Sequence, residues 1–231
     1  MVKPRSDIKT AIARCQLFKS AAPDALAPIA ENAKMIFVRR AARIYAEGER
    51  SAAFYIVASG RVVLSIGAAP AATKVIELIG TGGHCGLAAA ILGTPHVTSA
   101  DTLADSTLLV VPHAVLIEQA AAHAELALRI ATGLSREIFA LTDDISAYCL
   151  RSGRQRVAGF LLRIAAANAA RSRPFPLPAK KSIIASRLGL TPEYFSRMLH
   201  DLIATGAIAV EGRHVTILDS ARLREPDSVS A

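Results

Sequence analysis

Leu126, Ile130, Leu134, Ile138, Leu141, Ile145 and Tyr148 follow one another at intervals of 4, 4, 4, 3, 4 and 3 residues, a stripe that constrains the fold more than any other feature. The spacing places all seven side chains on one face of a helix of roughly 30–40 residues. Alternating threes and fours form a coiled-coil seam, so a second copy of the helix is the expected cover, with the chain's own preceding domain as the alternative. Gly133 within the stripe weakens the helix locally and permits a close approach or a bend.

The flanking segments obey other periods. Residues 6–36 read as short helices, with Ile8, Ile12 and Cys15 at helical spacing and Pro23-Asp24 opening a second helix through Leu26, Ile29 and Met35. Short β-type runs then follow at Phe37-Val38, Ile44-Tyr45, 54–57, 62–66, 75–79 and 107–111. They are punctuated by turns at Gly48, Ser59-Gly60, 67–70, 80–83 and Thr94-Pro95, a pattern that predicts an antiparallel barrel or sandwich. The long helix should end near Arg151-Ser152-Gly153, where Ser152 can cap a helix over 154–167 that buries Val157, Phe160, Leu161 and Ile164. Residues 171–178 hold three prolines and read as extended.

Charge is unevenly distributed along the 231 residues. Residues 1–150 carry 14 Lys+Arg against 13 Asp+Glu, whereas residues 151–231 carry 13 against 6, so seven of the eight net positive charges sit in the last third. A compact basic region on a near-neutral body is the electrostatic footprint of a polyanion-binding domain. The uncharged run Leu78–Ala100 contains five glycines, a proline and two histidines, which argue against a membrane-spanning helix. No apolar leader follows Met1, so a cytoplasmic protein without membrane contact is expected. Cys15, Cys85 and Cys149 are far apart, which favours neither disulfides nor a thiolate zinc site.

Within the basic third, residues 182–199 have the layout of a helix-turn-helix. Ala185 is small where two helices must approach, Gly189 permits the turn, Thr191 offers an N-cap oxygen and Pro192 suits the first helical position. Tyr194 or Phe195, with Met198, Leu199 and Leu202, would bury one face of the second helix. Glu193, Ser196, Arg197 and His200 fall at i, i+3, i+4 and i+7 on the other. A helix lying in a major groove presents such a stripe: arginine reads guanine, glutamate accepts from cytosine, serine meets either kind of edge. A following hairpin, 208–218 with Glu211-Gly212 at its tip, makes the motif winged. Lys180, Lys181, Arg187, Thr191, His200 and Arg213 are the expected phosphate or flanking contacts.

The order of β-roll, long helix and winged helix-turn-helix resembles the CRP/FNR family of bacterial transcription regulators. Ile44-Tyr45-Ala46-Glu47-Gly48-Glu49 and 54–62 are similar to the family's paired-glycine strand signature, and 156–162 to its post-linker helix. The resemblance implies an α+β chain: an N-terminal antiparallel, cyclic-nucleotide-binding-like jelly roll (1–112), a dimerisation helix (113–150) and a DNA-binding domain (151–231). Glu193, Ser196 and Arg197 match the recognition residues of the FNR branch, which implies a TTGAT-type inverted repeat bound by a homodimer, with RNA polymerase as a further partner.

The effector expected from the resemblance is not a cyclic nucleotide. In the stretch similar to the phosphate-binding cassette, 83–100, Leu87 stands at the glutamate position and Val97-Thr98 where arginine is needed. Burying a phosphate without a cationic partner is costly. An iron–sulfur cluster, which takes four thiolates, is also not expected from three scattered cysteines. An effector pocket is placed at Cys85, Gly86, Leu87, Val97 and Thr98. The chain is most similar to the family's nitric-oxide-responsive denitrification regulators, which makes haem a candidate cofactor with His84, His96, His113 or His123 as ligand. Cys149 beside Arg151 is a candidate redox thiol or a packing residue. Two other readings remain: a sensor module acting by protein contact, and a constitutive regulator with no effector. Catalysis is not expected, because no GxSxG, HExxH or phosphate-loop motif is present.

Overall fold

A computed structural model describes residues 4–67, 73–168 and 173–224. The turn expected over 67–70 therefore falls largely outside the described residues, as do 171–172 of the proline-rich segment. The chain divides into two compact units, residues 1–139 and 140–231.

The first unit opens with helices α1 (Pro4–Arg14) and α2 (Pro23–Asn32). Eight strands follow: β1 (Lys34–Val38), β2 (Arg43–Tyr45), β3 (Ala53–Ser59), β4 (Arg61–Ile66), β5 (Lys74–Gly80), β6 (His84–Cys85), β7 (Ser99–Thr102) and β8 (Ser106–Pro112), with helix α3 (Leu87–Leu92) between β6 and β7. They form two four-stranded antiparallel sheets, ordered β1-β8-β3-β6 and β2-β7-β4-β5. Period-2 alternation along β3 explains the core: Phe54 and Ile56 face the helices, while Val57 faces the roll interior with Tyr45, Val62, Cys85 and Leu108. Gly60, between β3 and β4, has φ +95°, and a Cβ there would stand 2.6 Å from the Ser106 Cα and 2.7 Å from the Asp105 carbonyl oxygen. No side chain fits that turn, which is why the motif holds glycine at this point.

The helical stretch after Pro112 is two helices and not one. α4 (His113–Ala122) ends at His123, whose extended backbone (φ −126°, ψ 98°) breaks the ladder before α5 (Ala124–Leu150). Gly133 allows the close approach: a Cβ there would collide with the Leu17 side chain.

The second unit contains the end of α5, then α6 (Gly153–Ala167), β9 (Phe175–Pro176), α7 (Lys181–Leu188), α8 (Pro192–Ala204), β10 (Ile208–Glu211), β11 (His214–Ile217) and α9 (Ser220–Arg224). α6 begins as the sequence predicts: the Ser152 hydroxyl accepts from the Gln155 amide, and the Gln155 side chain accepts from the Ser152 amide. Among the described residues no helix is long and apolar enough to cross a membrane.

Candidate nucleic-acid interface

α7 and α8 pack through Ile184, Ala185 and Leu188 on one helix and Phe195, Met198, Leu199 and Leu202 on the other, all buried. Ala185 is fully buried, as a small residue at a helix crossing must be. Gly189 ends α7 in the left-handed region at φ 65°, and its amide bonds the Ser186 carbonyl at 3.1 Å. The Thr191 hydroxyl caps α8 by accepting from the Tyr194 amide at 3.2 Å. β10 and β11 form the wing, with Glu211 opposite His214 at its tip, and β11 also pairs with β9.

This packing turns the polar stripe of α8 outward. Glu193, Ser196, Arg197 and His200 are all exposed, while Phe195, of the two aromatic candidates, takes the buried place. The Arg197 guanidinium lies 4.7 Å from the centre of the Tyr194 ring, a cation–π contact that holds the arginine over the helix surface. Lys180, Lys181, Thr191 and Arg213 are exposed as well.

Arg187 is the correction in this group. It is not presented as a phosphate contact, because its side chain is only 15% exposed and its guanidinium is paired with Asp144 of α5. It also donates to the Tyr148 hydroxyl at 3.0 Å, while that hydroxyl donates to the Arg187 carbonyl. Arg156 secures the same corner by donating to the Leu188 carbonyl at 2.8 Å. Sequence reading missed Asp144 as a functional partner. The available signal was an acidic pair, Asp143-Asp144, set between Leu141 and Ile145 of the apolar stripe.

The apolar stripe of α5 divides in two. Leu126 and Ile130 are buried in the core of the first unit and Leu134 packs against it, so these three residues anchor the helix to its own roll and are corrected as seam positions. Tyr148 is committed to Arg187. Ile138, Leu141 and Ile145 remain 63%, 50% and 63% exposed, an apolar ridge that water would not stabilise on a lone helix.

Of the five residues expected to share an effector pocket, Leu87 and Val97 stand apart from the other three. Cys85 sits in the roll interior, Leu87 in the other core cluster, and Val97 is 79% exposed. Gly86 lies against His96, whose ring stacks on Tyr45 at 3.7 Å between centroids and is itself buried. No lysine or arginine lies between 83 and 100, and the cavity of about 660 Å³ that Ser99 lines is bordered by Arg43, Glu47, Ser65 and Asp101. The Tyr45 hydroxyl is buried beside Cys85 and Thr98 without a well-formed hydrogen bond.

Three of the candidate histidines, His84, His96 and His113, occupy separate places in the first unit. His96 is stacked, and a His113 ring nitrogen lies 3.2 Å from the Ala52 carbonyl. The cavity that His84 lines measures about 280 Å³, below the roughly 300–1,000 Å³ that encloses a drug-sized ligand. Burial pushes the Cys85 thiol up to about 12 and Cys15 to about 11, so both are unreactive, while Cys149 is exposed.

His84 has a different consequence. Its Nε2 lies 3.5 Å from Glu137 Oε1, and burial lowers its pKa from 6.5 to about 4. An unfolded chain takes this proton near 6.5 and the folded one only near 4, so acidification across that window favours unfolding, by up to about 1.4 kcal/mol per pH unit. Burial, and then Glu77, raise Glu137 to about 7, which works in the opposite direction between 4.5 and 7. Its side chain is 44% exposed, however, and solvent screening makes it the weaker partner. Urea midpoints are expected to fall from pH 6.5 to 4.5, and the fall should flatten in His84→Gln; an unchanged slope in that variant would contradict the assignment.

Comparison with known proteins matches both halves of the chain. Residues 155–226 fit the model of a Crp-like helix-turn-helix domain, and residues 35–123 that of a cyclic nucleotide-binding domain. The fumarate and nitrate reduction regulatory protein of Vibrio cholerae is 29% identical over 144 residues, which cover 61% of this chain and 58% of that protein. FixK2 from Bradyrhizobium japonicum superposes with a TM-score of 0.77 at 24% identity, covering 86% of this chain and 99% of that one. DNR from Pseudomonas aeruginosa gives 0.51 at 26% identity, covering 96% and 98%.

Proposed function

The chain belongs to the CRP/FNR family of transcription regulators, which are not enzymes, and we propose that it acts as a homodimer reading a TTGAT-type inverted repeat. The observation that carries this reading is the exposed row Glu193, Ser196 and Arg197 on a capped helix whose opposite face is buried. Arg197 would donate to guanine O6 and N7, Glu193 would accept from a cytosine amine, and Ser196 would meet the base between. Lys180, Lys181, Thr191, His200 and Arg213 would hold the flanking phosphates and set the register. The ridge Ile138, Leu141 and Ile145 would pair with its copy, spacing the recognition helices one turn of DNA apart. RNA polymerase is the protein such a regulator would engage once on its site.

Control by a cyclic nucleotide is not part of the proposal, because the cassette stretch offers no cation. Haem-based sensing of nitric oxide is left out because the roll cavity of about 660 Å³, between Arg43, Glu47, Ser65, Ser99 and Asp101, is lined by no histidine or cysteine.

Arg197→Ala tests the reading directly. It is expected to weaken binding to the palindrome by about 1–3 kcal/mol and to relax the base preference at its own position. Fluorescence anisotropy across a set of single-base variants measures both. Equal losses on every sequence would make Arg197 a phosphate contact and overturn its role as a reader.

A further inference from the structure

Beneath the helix-turn-helix, within the second unit, a cavity of about 130 Å³ is lined by Arg151, Arg156, Arg163 and Arg187 together with Asp143 and Asp144. The two carboxylates are shared among the arginines. Asp144 pairs with Arg187 and lies 3.5 Å from Arg163, while Asp143 accepts from Arg151 at 2.7 Å and lies 3.5 Å from Arg163. Four guanidinium groups against two carboxylates leave two positive charges uncompensated around a small space. Arg156 adds a specific deficit: one of its terminal nitrogens donates to the Leu188 and Gly189 carbonyls, but its Nε is buried without an acceptor. A buried donor left unpaired calls for an acceptor.

We infer that this cavity is an oxyanion site, taking an ion of the size and charge of inorganic phosphate. Hydrogen phosphate carries the two negative charges that the lining lacks and offers acceptor oxygens to planar guanidinium groups, which suit such geometry. The volume selects the free ion over a nucleotide, since drug-sized ligands occupy roughly 300–1,000 Å³. Bound there, the ion would tie the end of α5 to α6 and α7, the corner from which the recognition helix projects. The inference does not depend on which DNA sequence α8 reads.

Calorimetric titration of the full chain with inorganic phosphate, against sodium chloride at matched ionic strength, tests it. One saturable site per chain is expected, weakened at least tenfold in both Arg156→Gln and Arg163→Gln and kept in Arg197→Ala. Arg163 is half exposed, so its variant retains the fold, which circular dichroism melting verifies. Glycerol phosphate should bind more weakly than the free ion. Absence of a saturable site, retention of full affinity in both arginine variants, or loss in Arg197→Ala, which would place the ion on the DNA face, each overturns the inference. Tighter binding of glycerol phosphate would overturn the assignment to a free ion.

Discussion

Asp144→Ala is expected to destabilise the C-terminal unit by about 3–5 kcal/mol, the range found when one partner of a buried ion pair is removed. The Arg187 side chain is 15% exposed and that of Asp144 11%, so the stranded guanidinium could recover hydration only through the small cavity it lines. The Tyr148 hydroxyl, which accepts from Arg187 at 3.0 Å, is a neutral acceptor and cannot replace a carboxylate. Because α7 is the first helix of the helix-turn-helix, the same change should lower affinity for DNA even though Asp144 lies far along the chain from α8. Urea unfolding reads the stability. A double replacement of Asp144 and Arg187 by leucine should recover most of the loss, since it removes both charges. A loss below about 1 kcal/mol in Asp144→Ala would mean that water already solvates the pair.

The second large effect concerns the ridge on α5. Changing Ile138 and Ile145 to glutamate removes four isoleucines from a symmetric seam, roughly 6 kcal/mol at about 1.5 kcal/mol each, before any repulsion between the new carboxylates is counted. Self-association should weaken at least roughly a thousandfold. Both side chains are 63% exposed in the single chain, so the fold of the protomer should be unaffected. Sedimentation or light scattering with circular dichroism separates these outcomes. A dimer that persists would move the interface to another surface; a chain that unfolds would mean that the ridge packs within its own protomer.

The residues that were legible in the sequence are those whose role is set by local chemistry. Ser152 and Thr191 cap helices because a short hydroxyl next to an extended backbone can reach the amides ahead of it, and both were evident from their neighbours. The face of α8 followed from its period. Elements too short to show a repeating apolar pattern were missed. β6 is two residues long, β7 is Ser-Ala-Asp-Thr without a β-branched alternation, and α3 is a six-residue helix between two glycines. The break at His123 carries no proline or glycine, so the helices on either side read as one.

The role of Arg187 was hidden for a different reason. Its partners lie 39 and 43 residues away, and only the packing of α7 against the end of α5 brings them together. Leu126 and Ile130 look like seam residues because a helical stripe specifies a face and not its cover. The fold of the preceding roll decides that the upper part of the stripe is already covered. The cassette stretch shows the reverse: missing cations were visible in sequence, while the stacking of His96 on Tyr45 was not.

Two copies of the chain are proposed to read two inverted half-sites. Anisotropy titration compares a TTGAT–ATCAA duplex with one in which a single half-site is scrambled, with binding stoichiometry measured in the same experiment. Two chains per intact duplex are predicted, together with at least about a hundredfold weaker binding to the half-scrambled one, since each mismatched base pair costs about 1–3 kcal/mol. Equal affinity for the two duplexes, or one chain per duplex, would rule out a dimer on two inverted half-sites.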